Sequence, residues 1–373
     1  MLRSLTWCCI IPGLFAGLLA SADVPRATPP APHLETGEIA GAKFSIALPS
    51  QWNRRILLIA HGYVPVERPL LASLLPGQLA YRTLLDEGWM IATTSYRRNG
   101  IIVTDAIADL DALHDHLVSR YGRADRVILL GESMGGLIVT LLVERNSSEY
   151  AGAVAIGAAL AIDEPGFAIT PTQRPQKPLI FLTNQSELDG PTAYVAGTTA
   201  TATEELKPAL FRIARDGHVN VNQAERLAAL RALIAWIDHG RTSHPALARN
   251  ASFHDATVPP TSTASLVRMH HDRGGFAARI TEVSAAYGNV VINAQSADFA
   301  AAGITPHSWF KLTAHGKSYR TFYGSNFSSV KEGEWVVFPN ADGFFTLSRN
   351  YADAAGSASL RANDEVSLNP QTE

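Results

Sequence analysis

Ser133 stands between Gly131 and Gly135 in the run Gly131-Glu132-Ser133-Met134-Gly135-Gly136, directly after the apolar residues Val127-Ile128-Leu129-Leu130. A serine placed where a strand turns sharply into a helix exposes its hydroxyl at the sheet's edge. The flanking glycines remove side chains that would strike neighbouring backbone. Such a hydroxyl attacks a carbonyl only when a base takes its proton, and the base needs an acid to hold its tautomer and balance its charge. Between Ser133 and residue 240 the chain has two histidines, His218 and His239. His218 follows the apolar run Leu210 to Ala214 through Arg215-Asp216-Gly217 and precedes a helix, which puts it level with Ser133. His239 falls in the last turn of a helix, where a positive charge favourably faces the helix dipole. His218 is therefore the expected base.

The acid is sought after an earlier strand. Leu179 to Thr183 leads into Asn184-Gln185-Ser186-Glu187-Leu188-Asp189, so Glu187 is the first choice and Asp189 the alternative, with Asp163 or Glu164 further candidates. The negative charge of an acyl-transfer intermediate needs donors already in place. The backbone N–H of Met134, at a helix start, supplies one, and the N–H of Tyr63 in His61-Gly62-Tyr63 is the candidate for the second. His61 precedes Ser133 in the chain and is read as holding its loop. Arg97 and Arg98 are read as facing solvent.

These groups require an α/β scaffold. Strands are expected at Lys43 to Leu48, Ile56 to Ala60, Met90 to Ser95, Val127 to Leu130, Ala153 to Ile156, Leu179 to Thr183 and Leu210 to Ala214. Helices are expected at Gln78 to Glu87, Thr104 to Tyr121 with Thr104 as N-cap, Gly135 to Arg145 and Gln223 to Ile237. Short apolar runs alternating with amphipathic helices imply a parallel sheet covered on both faces, with its site at the strands' C-terminal edge. The periodicity lapses between residues 241 and 275, which read as a linker, and short strand-like runs return over 276–368, implying a smaller, mostly β domain before a tail at 369–373.

At 373 residues the chain is longer than one hydrophobic core usually extends. Charged residues make up 17% and the net charge is -3 without blocks of like charge, which argues against nucleic acid or an anionic membrane surface as a partner and fits a small polar or apolar substrate. Arg3, the apolar segment Leu5 to Leu19 and Ala20-Ser21-Ala22 read as a signal peptide over 1–22, followed by a Pro-rich leader over 23–40. The apolar segment is short of the ~20 residues that span a bilayer, so no stable membrane anchor is expected after cleavage, and the protein is expected in the periplasm or outside the cell. Both cysteines, Cys8 and Cys9, lie in that segment. No metal site is expected from His114-Asp115-His116 or His270-His271-Asp272, whose close spacing does not put histidines on one helix face, and no cofactor is expected.

Together, His61-Gly62, Gly131-x-Ser133-x-Gly135, Glu187 or Asp189 and Gly217-His218 resemble the α/β-hydrolase superfamily over residues 41–240. The resemblance implies an eight-stranded, mostly parallel sheet and a Ser-His-acid hydrolase working through an acyl-enzyme. The stretch from Ala161 to Pro178 is too short for a large helical lid, so an openly accessible pocket is expected. Tyr287-Gly288-Asn289, Tyr323, Asn340-Ala341-Asp342-Gly343, Asn350 to Ala355 and Asp364-Glu365-Val366 resemble the C-terminal domain of S-adenosylmethionine hydroxide adenosyltransferases. In that family the domain helps contact an adenosyl group across a subunit boundary. Here, beside a hydrolase, a structural, substrate-presenting or homo-oligomerising role is expected. The reading is an exported serine esterase acting on a small-molecule ester; the alternative is a binding or assembly protein that uses the hydrolase fold as a scaffold.

Overall fold

A computed structural model describes residues 32–145, 148–164, 167–198, 203–248, 253–259, 264–270 and 274–371. The signal segment, both cysteines, the first half of the leader (23–31), His271 and Asp272 lie outside the described residues.

Strand β5 (Arg126–Glu132) explains how the first sheet is covered. Its side chains alternate between faces, as strand geometry requires: Val127 and Leu129 join one apolar cluster, Ile128 and Leu130 the other. In chain order the sheet is built from β1 (His33–Ile39), β2 (Ala42–Leu48), β3 (Arg55–Ala60), β4 (Met90–Thr94), β5, β6 (Gly152–Ile156), β9 (Leu179–Asn184), β10 (Ala209–Ile213) and β11 (Phe253–Asp255). The small hairpin of β7 (Ile162–Glu164) and β8 (Phe167–Ile169) stands apart. The sheet order is β1-β2-β4-β3-β5-β6-β9-β10-β11. From β4 to β11 every pair is parallel, whereas β1 and β2 run antiparallel.

Helices α2 (Val103–Tyr121) and α3 (Met134–Glu144) pack on one face, and α1 (Leu79–Asp86) and α5 (Gln223–His239) on the other. Each fully buried Leu or Ile in these layers contributes about 1.5–3 kcal/mol, so the two clusters fix which strand ends meet. α4 (Asp189–Thr198) follows β9, and the short α6 (Pro245–Ala248) follows α5.

Three local expectations change. The leader's last residues pair with β2 as strand β1, although most of them remain exposed. The stretch read as a linker supplies β11, which extends the first sheet beside β10, and β12 (Arg268–Met269), which pairs with the second sheet. That makes nine strands among the described residues rather than eight. Thr104 is not the N-cap of α2: the helix starts at Val103 after Ile102, and the Thr104 hydroxyl donates to Glu164 at 2.9 Å.

The second sheet closes on itself. It contains β13 (Phe276–Val283), β14 (Val290–Ile292), β15 (Trp309–Ala314), β16 (Lys317–Tyr323), β17 (Trp335–Pro339), β18 (Phe345–Arg349) and β19 (Glu365–Pro370), and the β13–β19 pairing makes a seven-strand barrel. Phe299, on α7 (Ser296–Ala301), plugs it, with ring centroids 5.1 Å from Phe276, 4.2 Å from Phe345 and 5.0 Å from Tyr323. From Pro32 onward, the first sheet and the barrel form one compact unit.

Candidate active site

The parallel strands all end at the same edge, and the candidate residues follow those ends: Tyr63 after β3, Ser133 after β5, Glu187 after β9 and His218 after β10. Ser133 has φ 55° and ψ -118°, a conformation that L-residues avoid, and α3 begins with the next residue. The glycines make this turn possible. A Cβ at Gly131 would lie 2.1 Å from the Gly135 carbonyl oxygen, and one at Gly135 would lie 2.0 Å from that of Ala60. The Ser133 N–H donates to the Ile156 carbonyl at 2.9 Å, which pins the elbow to the neighbouring strand.

His218 Nε2 lies 2.8 Å from Ser133 Oγ. Its Nδ1 is hydrogen-bonded to the Glu187 carboxylate. The imidazole is thus held between a hydroxyl and a carboxylate, in the order that general-base activation of a serine requires. Asp189 is exposed in the first turn of α4 and is not the carboxylate that meets His218. Glu164 accepts from Thr104, and His239 ends α5.

Met134 is the first residue of α3, where helical N–H groups lack intrahelical partners. The loop bearing Tyr63 passes directly beside the nucleophile: a Cβ on Gly62 would stand 3.1 Å from Ser133 Cβ. His61 is buried against Tyr96, with ring centroids 4.0 Å apart, and its Nδ1 donates to the Gly62 carbonyl at 2.7 Å. Burial holds its pKa below the ordinary value. Arg97 and Arg98 are tied to α2, Arg97 through a 2.6 Å contact with buried Asp109 and Arg98 through Asp105 at 2.8 Å.

Sequence reasoning missed the residues that join the acid loop to the base loop. Asn184, fully buried, donates from Nδ2 to the Arg215 carbonyl at 3.1 Å and the Asn220 carbonyl at 2.9 Å, and its Oδ1 accepts from the Asn220 N–H at 2.9 Å. The Ser186 hydroxyl accepts from the Gly217 N–H at 3.0 Å. Arg215 pairs with buried Glu225 at 2.6 Å, and Glu225 also closes a capping box with Asn222 at the start of α5. The usable signal was Asn184 directly at a strand end beside the candidate acid.

Arg226 pairs with Glu132, the residue before the nucleophile, and its guanidinium faces Tyr81 at 5.9 Å. Burial opposes the Arg226 charge, but Glu132 and Tyr81 outweigh it and the pKa is raised. Beside them lies a cavity of about 230 Å³, lined in part by His61, Leu75, Tyr81 and Tyr287.

The barrel reaches the same edge. The Phe327 ring stands 5.6 Å from that of His218 at 78°, and the Tyr351 ring 5.3 Å from that of Tyr63 at 72°. Tyr287 reaches the backbone of Gly62, and Asn220 Nδ2 donates to the Pro339 carbonyl at 3.2 Å. Among its described residues the stretch from Ala161 to Pro178 holds only the β7–β8 hairpin, so the expectation of an open pocket is modified by the barrel rather than by a helical lid. His114 packs against Tyr150 and His116 against Phe44, and no group of three metal-ligating side chains occurs among the described residues.

A family model described as serine aminopeptidase, S33 matches residues 102–198, and one described as SAM hydroxide adenosyltransferase C-terminal domain matches residues 284–367. No curated protein matches the chain. Among solved structures, an uncharacterized conserved protein from Thermotoga maritima is 18% identical, covering 30% of this chain and 40% of that one, with a TM-score of 0.26. Est1E from Butyrivibrio proteoclasticus is 11% identical, covering 55% of this chain and 98% of its own, with a TM-score of 0.40. The Pyrococcus furiosus esterase Pf2001 is 16% identical, covering 51% and 88%, also with a TM-score of 0.40. The chain thus spans less than half the length of the first of these. The first sheet and its elbow have the architecture of an α/β-hydrolase fold, residues 102–198 are similar to the serine aminopeptidase family, and residues 284–367 are similar to the SAM hydroxide adenosyltransferase C-terminal domain.

Proposed function

We propose that the protein is an exported serine hydrolase that cleaves carboxylic esters, with Ser133 as nucleophile, His218 as base and Glu187 as the acid. The observation that carries this reading is the 2.8 Å approach of His218 Nε2 to Ser133 Oγ, with Glu187 on the opposite ring nitrogen. Ser133 Oγ attacks the ester carbonyl carbon as its proton passes to His218 Nε2. The N–H groups of Met134 and Tyr63 receive the negative charge that develops on the carbonyl oxygen. His218 then returns the proton to the leaving oxygen as the C–O bond breaks, which frees the alcohol and leaves the acyl group on Ser133. Water, losing a proton to the same Nε2, attacks the acyl carbon, and the proton returns to Ser133 as the acid departs. Export rests on the amino-terminal pattern alone, and amino-terminal sequencing of protein recovered outside the cytoplasm checks it.

Hydrolysis of p-nitrophenyl acetate tests the roles. Ser133→Ala is expected to lower kcat by about 10⁴-fold or more and Glu187→Gln by about 10²–10⁴-fold, while Asp189→Asn changes it by about twofold at most. Ser133→Ala with activity intact would overturn the reading. Fluorophosphonate labelling separates it from a scaffold role, since an activated serine is labelled and a scaffold's serine is not.

A further inference from the structure

We infer that Phe327, a residue of the C-terminal barrel, forms the wall that selects the alcohol part of the ester, favouring a flat, apolar group there. The inference rests on the hydrolase reading above and adds its substrate class. The direction follows from the chemistry. Whatever group leaves must receive a proton from His218 Nε2, so the alcohol's first atoms lie against the imidazole. The ring that packs on that imidazole is Phe327, edge to face at 5.6 Å.

The wall is built rather than incidental. Phe327 lies in a short turn, Phe327–Ser329, between β16 and β17. The turn is fastened by Ser329 Oγ, which accepts from the Ser325 N–H at 3.1 Å, and by the Gly324 N–H donating to the Val337 carbonyl at 2.9 Å. Phe338 backs the Phe327 ring at 5.5 Å and 83°. The end of β17 is linked to the His218 loop through the Asn220 side chain and the Pro339 carbonyl. His218 keeps 26% of its side chain exposed, so there is an approach beside the ring. A second barrel aromatic, Tyr351, stands on the Tyr63 side. It is 58% exposed and has φ 54°, a left-handed conformation that a bulky residue adopts only when its surroundings impose it.

Benzyl acetate and ethyl acetate separate the effect of the ring from chemical reactivity, because their leaving alcohols are of similar basicity. With the full chain, kcat/KM is expected to favour benzyl acetate by roughly 3- to 10-fold, the range of one added aromatic contact. Phe327→Ala should bring the ratio close to one, and Phe327→Tyr, which keeps the ring, should retain it. Phe327→Leu preserves most of the volume and should also lose the preference, so the test survives if the alanine variant fails to fold. The ratio of ethyl butyrate to ethyl acetate, which varies the acyl part, should be unchanged in all three. A benzyl-to-ethyl ratio that is the same in wild type and Phe327→Leu, with fluorophosphonate labelling intact, overturns this inference and leaves the hydrolase reading standing. A wild-type chain that neither labels nor hydrolyses either ester overturns both.

Discussion

His61 lies two residues before Tyr63, and its buried ring, stacked on Tyr96, is the group beside the site whose protonation folding opposes. Burial lowers its pKa from 6.5, so above that value neither the folded nor the unfolded chain binds the proton and its contribution to stability is complete. As pH falls through 6.5 the unfolded chain takes up a proton that the folded chain refuses, and stability is lost toward the lowered folded value. The denaturant midpoint is therefore expected to fall between pH 7.5 and 5.5, and His61→Gln should flatten that decline even if it lowers the midpoint overall. An equal slope in both proteins would place the titration elsewhere. The same residue shows what spacing can reveal. That His61 is structural follows from chain order, whereas its stacking partner Tyr96 is 35 residues away and carries no local signal. Glu187 and Asp189 likewise stand two residues apart on one loop; only the start of α4 at Asp189 turns one carboxylate outward while the other meets His218.

At the scale of elements, two loops must keep their separation to within a few tenths of an ångström for His218 to stay between Ser133 and Glu187. Asn184 sets that separation through its three hydrogen bonds to the 215–220 loop. Asn184→Ala leaves the buried Asn220 N–H without a partner, at about 1–3 kcal/mol, and takes one donor from each of the Arg215 and Asn220 carbonyls, which keep Gln185 N–H and Arg215 Nε respectively. As a positioning residue it is expected to lower kcat with little change in KM and to slow fluorophosphonate labelling, whereas a merely structural role would lower the unfolding midpoint alone. Most of the first sheet was legible, because period-two and helical spacing are local properties: β3, β5, β9 and α5 are found within two residues of their expected ends. β1 and β11 were not. Their few residues are exposed or short, and they become strands only because β2 and β10 offer open edges to pair with.

At the scale of the whole molecule, the barrel stands where a lid would, and one side chain does much to hold it. Arg68, on the loop after β3, pairs with Asp353 and donates to the carbonyl oxygens of Ala285 and Ala286, the latter at 3.3 Å. Both charged side chains are largely buried, and Asp353 is engaged a second time, accepting from the Gly356 N–H at 2.7 Å to cap the short helix Ala354–Ala358. None of this was legible, since the partners are separated by 217 to 285 residues and each taken alone is an ordinary polar residue in a loop. Arg68→Ala removes the cation and leaves Asp353 partly buried without it, which is expected to destabilise the chain by about 1–3 kcal/mol. The consequence for function is sharper than that for stability. If the barrel positions Phe327 and Tyr351 over the His218 and Tyr63 ends of the site, loosening it should lower kcat/KM for benzyl acetate more than for ethyl acetate, while Ser133, still activated by His218 and Glu187 on the first sheet, keeps reacting with fluorophosphonate. Equal losses on both esters would mean that Arg68 supports the hydrolase sheet itself, and that the barrel's aromatic residues are held in place by other contacts.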